Sequence, residues 1–161
     1  MLTPALARFH STRSGAVATG VFRIVRAHGF IRNICSWIMH LPPAGKRVFV
    51  RLEVIERKYG EQWVRDFSGH RLVTKQWIRN GLLIESSGPF RFGFRLSVED
   101  KTLKFRMARC WMLGIPLPLP LAPRVTADIT GREASWRTVV EVGAPFVGPL
   151  VRYEGEMVPE C

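Results

Sequence analysis

Along several segments that alternate with a period of two, polar and charged side chains share a side with aromatic and aliphatic ones. Trp63 and Arg65 have one parity, as do Gln76 and Ile78, Leu83 and Glu85, and Arg152 and Glu154. Phe92 belongs to the clearest apolar face, Phe90, Phe92, Phe94, Leu96 and Val98. When a sheet curls, one face of each strand lines its interior. An apolar wall with a few placed polar groups is what a small-molecule pocket requires. Trp63 and Phe92 are therefore expected to supply wall, and Arg65, Arg109 and Arg152 to orient an anionic head group through charge-assisted bonds. Gln76 and Glu85 are the further polar contacts of this candidate site. The competing reading sends these groups to solvent, since 10 Phe and 5 Trp can fill a core without a ligand.

Catalytic and metal-binding patterns are sparse. The histidines at positions 10, 28, 40 and 70 have no H-x-x-x-H spacing and no cysteine partner at ligand distance in sequence, so no metal site is assigned. Gly88-Pro89-Phe90-Arg91-Phe92-Gly93 leads into a strand rather than a helix, unlike a dinucleotide loop. There is no P-loop and no nucleophile elbow. Cys35 falls inside a helix and reads as a small buried hydrophobe. Asp66, Glu85 and Glu154 are embedded in strands, where pairing with arginine is the commoner fate. No catalytic residue and no cofactor are assigned. An enzyme using Glu85 or Glu154 as base ranks behind a non-enzymatic binding module. Pro120-Leu121-Ala122-Pro123 is nominally P-x-x-P but lacks a basic anchor before it and reads as a rigid loop across a barrel end. Without an RNP-like motif or a zinc finger, nucleic acid is not an expected partner.

The elements that must hold these residues are mostly strands. Gly15 to Ala27 alternates as a strand, then Phe30, Ile31, Ile34, Ile38 and Leu41 recur at helical spacing until Pro42-Pro43 stops the helix. Strands follow over 48–55, 62–67, 71–79, 82–86, 90–99 and 103–108, with Asn80-Gly81 the strongest hairpin signal. The proline-punctuated stretch 114–123 cannot be a central strand. Strands over 125–130, 136–142 and 150–158 close the chain. The expected fold is α+β and mostly β: an antiparallel meander of about nine or ten strands curled into a barrel or half-barrel. One helix is inserted near the N-terminus, against or across an opening.

The 161 residues suit one domain, 1–161, with residues 1–14 as an arm or short helix and 15–161 as a β-rich body. Charge is unevenly placed. Of 24 Lys+Arg, 8 precede Glu53, the first acidic residue, while the rest of the chain carries 16 basic against 13 acidic groups. Arg23, Arg26 and Arg32 then mark a basic surface that could meet an anionic membrane or an acidic partner, with a solvated face as the plain alternative. Three cysteines without pairing pattern, no secretory leader and no long apolar run suggest a cytoplasmic protein, with peripheral membrane contact left open.

Five segments carry a resemblance: Leu41-Pro42-Pro43-Ala44-Gly45; Gly60 to Phe67 (Gly-Glu-Gln-Trp-Val-Arg-Asp-Phe); Gly88-Pro89-Phe90-Arg91-Phe92; Leu113 to Pro118 with Leu121-Ala122-Pro123-Arg124; and Val147 to Gly155. Together, from about Leu2 to Pro159, they resemble the bacterial family catalogued as domain of unknown function 4166. That family occurs alone or after a saccharopine-dehydrogenase-like or short-chain NAD(P)-binding domain. The resemblance implies an accessory module beside redox metabolism, with an NAD(P)-dependent oxidoreductase as a partner in trans, and it transfers no catalytic residues. One departure is visible: Tyr153-Glu154-Gly155-Glu156-Met157 stands where the family often has Tyr-x-Gly-Trp-Leu. The leading expectation is a non-enzymatic module binding a hydrophobic or amphipathic small molecule. The alternative is an interaction domain docking to an oxidoreductase or an anionic membrane surface through its basic N-terminal third.

Overall fold

Alternating apolar residues commit most of this chain to strands that need a common interior. A computed structural model describes residues 15–160, so the arm expected over 1–14 lies outside the described residues. The strands are β1 (Ala16–Arg26), β2 (Gly45–Arg57), β3 (Gly60–Phe67), β4 (His70–Arg79), β5 (Leu82–Ser87) and β6 (Phe90–Glu99). They continue as β7 (Thr102–Met112), β8 (Ile115–Leu117), β9 (Arg124–Gly131), β10 (Trp136–Ala144) and β11 (Gly148–Pro159). One helix, α1 (Phe30–Ile38), joins β1 to β2.

The sheet closes on itself. Consecutive strands pair antiparallel from β1 to β7; β7 pairs with β9, and β9, β10 and β11 lead back to β1. The result is the expected meander in its fully closed form, a 10-strand antiparallel barrel with β8 added as one extra strand. Closure pairs every ring strand on both sides over at least part of its length. Asn80 and Gly81 both adopt positive φ, 52° and 74°, as a two-residue hairpin of this twist requires.

Every connection can be assigned to one of two barrel ends. Helix α1 and the turns at 68–69, 88–89, 113–114 and 145–147 gather at one, here the helix end. The turns at 58–59, 80–81, 100–101 and 132–135 gather at the other. Side chains of one parity fill the interior, with Phe22, Val50, Leu52, Phe67, Phe94, Val140 and Met157 among the buried core. The outer wall carries ion pairs instead, such as Arg106–Asp128, Arg137–Glu154 and Arg132–Glu156. That polarity is the reverse of a membrane-spanning barrel, whose lipid-facing wall is apolar. No helix among the described residues is long and apolar enough to cross a membrane.

Three local features depart from the simple period. The helix expected to reach Leu41 ends at Ile38. His40 turns left-handed (φ 52°), and Leu41 precedes a proline, where helical backbone is disfavoured. The Leu-Pro run contributes β8, which pairs with Cys110–Met112 at the far end of β7. Its prolines are tolerated because this is an outer strand with only one partner. Register shifts lie between Phe22 and Ile24, between Gly93 and Phe94 and their β7 partners, and between Val142 and Gly143.

β7 has two partners in turn. Its first half, Thr102–Arg106, pairs with β9; its last residues pair with β8. Toward the helix end the ring is therefore unpaired between β7 and β9. The segment after α1 closes over the same end, with Met39, Leu41 and Pro42 buried.

Candidate functional site

The inward faces of the ring do not meet in the middle. They enclose a cavity of about 160 Å³ in which the centre of a water molecule can move. That is far more room than a single buried water requires. Phe22, Leu52, Phe67, Phe92, Phe94 and Trp136 supply much of its wall, with Met39 and Leu41 at the helix end.

Polar groups cluster on one side. Cross-strand register places Trp63 of β3 opposite Thr74 of β4, and Gln76 of β4 opposite Glu85 of β5. The Arg65 guanidinium lies on this wall and reaches over β4. It donates to Thr74 Oγ1 at 2.9 Å and to Glu85 Oε1 at 3.2 Å. Its Cζ also sits 5.2 Å from the centre of the Trp63 ring, a cation–π arrangement. The Trp63 indole N–H donates to Glu61 Oε2 at 2.8 Å. Gln76, only 7% exposed, lines the cavity and makes no side-chain hydrogen bond with another described residue. Five strands further round the ring, β9 and β10 present Val125, Ala127, Ile129, Val140 and Val142. The interior is thus mainly apolar on that side, with Thr138 its polar member, and hydrogen-bonding on the other.

Electrostatics inside the ring favours neutral groups. Arg65 and Glu85 are an ion pair with side chains 18% and 17% exposed, so this wall offers donors and acceptors without net charge. Tyr153 of β11 lines the same cavity, edge-on to Phe67 with ring centres 5.6 Å apart. Burial pushes its hydroxyl up to about 12; Glu85 adds to the rise and Arg65 opposes it. Cys110, opposite Phe92, is pushed by burial up to about 11 and stays a thiol at neutral pH.

The structure brings together Trp63, Arg65, Gln76, Glu85 and Phe92 of the candidate set around the cavity. Arg109 and Arg152 are a correction: both are exposed and neither lines it. Arg152 alternates with the inward Val151 and Tyr153, and bonds to Glu141 and Glu154 on the outer wall. Arg109 is turned out because the β6–β7 register shift pairs Gly93 with Arg109 but Phe94 with Met107. A two-against-one count of this kind flips the parity of the residues beyond it. Glu154 also lies outside, where bonds from Arg137 and Arg152 hold its carboxyl below the usual range. Glu85 lies inside but is engaged by Arg65.

On the basic surface, Arg23 is exposed on β1 and Arg26 is half-buried. Arg32 donates to the carbonyls of Val147 and His28. Two contributors escaped the sequence reading. Tyr153 was signalled by Val151, Tyr153 and Met157 alternating with Arg152, Glu154 and Glu156. Thr74 carried no signal of its own, since a lone threonine in a strand is ordinary.

Among the described residues no three His, Cys, Asp or Glu side chains are grouped to hold a metal ion. No curated protein and no solved structure matches the chain. Residues 2–157 match the family described as Domain of unknown function (DUF4166), and the chain belongs to that family.

Proposed function

We propose that this barrel is a binding module for a hydrophobic or amphipathic small molecule held in its interior. One observation carries the reading: a closed ring retains a cavity lined by apolar side chains on one side and by Arg65, Thr74, Gln76 and Glu85 on the other. Folding normally fills such space, because interiors pack as densely as organic crystals. The Gln76 amide lines that space, where the head group of a bound molecule would meet both a donor and an acceptor. The arrangement also narrows the ligand. With Arg109 and Arg152 outside and Arg65 met by Glu85, the interior suits an uncharged polar head, such as an alcohol or amide, better than an anion.

Native mass spectrometry of protein purified from its own host, compared with the denatured sample, tests the proposal. The expected result is a co-purifying small molecule released on denaturation. A second arm uses fluorescence titration with medium-chain alkyl alcohols and carboxylates. The alcohol is expected to bind at least tenfold more tightly, and Glu85→Gln, which leaves Arg65 unmatched, to reverse that order. A clean apo mass together with no uptake of any alkyl ligand would overturn the reading.

A further inference from the structure

We propose that the helix end of the barrel docks onto an anionic phospholipid bilayer. The first observation is that α1 is inverted relative to a surface helix, which normally turns its apolar stripe to the core. Here Arg32, Ser36 and Met39 face the barrel, with the Arg32 guanidinium on the Val147 carbonyl. Phe30 and Trp37 are 82% and 77% exposed, and Ile31, Ile34 and Ile38 are exposed beside them.

The second observation is that the turns around the helix repeat this choice. Phe146, between β10 and β11, is 94% exposed, and Leu113, between β7 and β8, and Ile115, which opens β8, are 77% and 66% exposed. The β5–β6 turn lies against the end of α1: a Cβ on Gly88 would be 3.8 Å from the His40 ring. Leu113 is bound through its N–H to Pro89 of that same turn. Helix and turns form one apolar crown, larger than scattered surface residues require.

Charge complementarity selects the occupant. Among the described residues, segments 26–49, 68–71, 87–91, 112–124 and 144–149, which build this end, contain no Asp or Glu. They contain Arg26, Arg32, Lys46, Arg47, Arg71, Arg91 and Arg124. Asp66, two residues before the 68–71 segment, accepts from the Gly69 N–H at 2.6 Å. A groove of roughly 920 Å³ runs from Phe146 past Arg26 and Arg124, with Glu141 in it already bonded to Arg152. The opposite end mixes signs, with Lys58, Asp100, Lys101, Arg132 and Glu133 in its turns. A second copy of this chain placed on the crown would bring cations against cations. An anionic bilayer instead accepts the aromatic and aliphatic tips roughly 5–10 Å deep and meets the surrounding arginines with phosphate. Trp and Phe at that depth match the residue preference of membrane interfaces.

The proposal concerns the surface alone and stands whether or not the cavity holds a ligand. Its test is co-sedimentation of the full chain with phosphatidylcholine vesicles, with and without phosphatidylglycerol. Partitioning onto the anionic vesicles is expected, weakening at high salt. The Phe30→Asp/Trp37→Asp double variant should lose at least tenfold, and Arg26→Glu/Arg47→Glu a similar amount. Ile78→Asp, an exposed apolar position near the other end, should bind as the parent does, and circular dichroism confirms that each variant is folded. Absence of wild-type binding, equal binding to neutral vesicles, or an equal loss in Ile78→Asp would overturn the proposal. So would a solution dimer that Phe30→Asp/Trp37→Asp dissociates while no vesicle binding occurs.

Discussion

Tyr153 stands at the junction of the apolar interior and the polar wall, and its hydroxyl makes no hydrogen bond with another described residue. Burial raises its pKa to about 12 from 10.0, so the folded protein keeps a proton that the unfolded chain loses. Stability from this group is therefore complete below pH 10 and declines as pH rises toward 12. At about 1.4 kcal/mol per unit, the full loss is on the order of 3 kcal/mol. Tyr153→Phe should fold as well as the parent at neutral pH and show a shallower alkaline decline. Urea midpoints measured across the alkaline range check this, and an unchanged decline would contradict it. Cys110, raised to about 11 from 9.0 by burial, contributes a loss of the same sign at lower pH and should persist in the variant. At this scale the sequence was only half legible. Trp63, Arg65 and Glu85 share the inward parity that alternation assigns, yet the same pairing of Arg152 with Glu154 is an outward parity. Alternation separates two faces without naming the inner one, and the apolar run Val151, Tyr153, Met157 was the clue that decides it.

Elements were more legible than side chains because strand periodicity repeats along the whole chain while each facing decision is made once. The antiparallel meander of about ten strands, the Asn80-Gly81 hairpin and the exclusion of the proline run from the ring follow from period and turn chemistry, whereas the choice of a closed barrel over a half-barrel does not. The bulges do not, since a register shift is set by how neighbouring strands coil rather than by a residue signal, and Arg109 was misplaced for that reason. Nor does the direction of the α1 stripe: helical spacing finds the stripe but not which way it points. Glycine marks where the strands come closest. A Cβ on Gly155 of β11 would sit 2.5 Å from the Phe22 ring and from the Val21 carbonyl oxygen. One on Gly20 of β1 would sit 2.1 Å from the Glu156 carbonyl oxygen. Neither residue has a positive φ, so contact alone excludes a side chain. Gly155→Ala should cost roughly 2–3 kcal/mol by overpacking. Chemical denaturation reads it, and a loss under about 0.5 kcal/mol, the range of ordinary surface changes, would show that β1 and β11 can move apart.

Across the whole molecule, polarity is organised twice, radially and along the axis. Inside is apolar with one hydrogen-bonding wall, outside is laced with ion pairs, and one end gathers Phe30, Trp37 and Phe146 while the other mixes charges around Tyr59. The ring itself has a consequence for time rather than shape. Apart from the β8 detour between β7 and β9, every strand pair joins neighbours in sequence except β1 with β11, where Ile24 meets Tyr153. Closing a loop of that length costs about 4 kcal/mol in chain entropy, against about 1 kcal/mol for the Asn80-Gly81 hairpin. Folding should then spread through local hairpins and join the first strand to the last only near the end. Two conservative truncations separate the steps. Ile24→Val, at the joint, should mainly speed unfolding, whereas Ile84→Val, within β5, should mainly slow folding. Stopped-flow rates for both decide the matter, and the same division in each would refute that order. β1 would then spend most of the folding reaction waiting for β11.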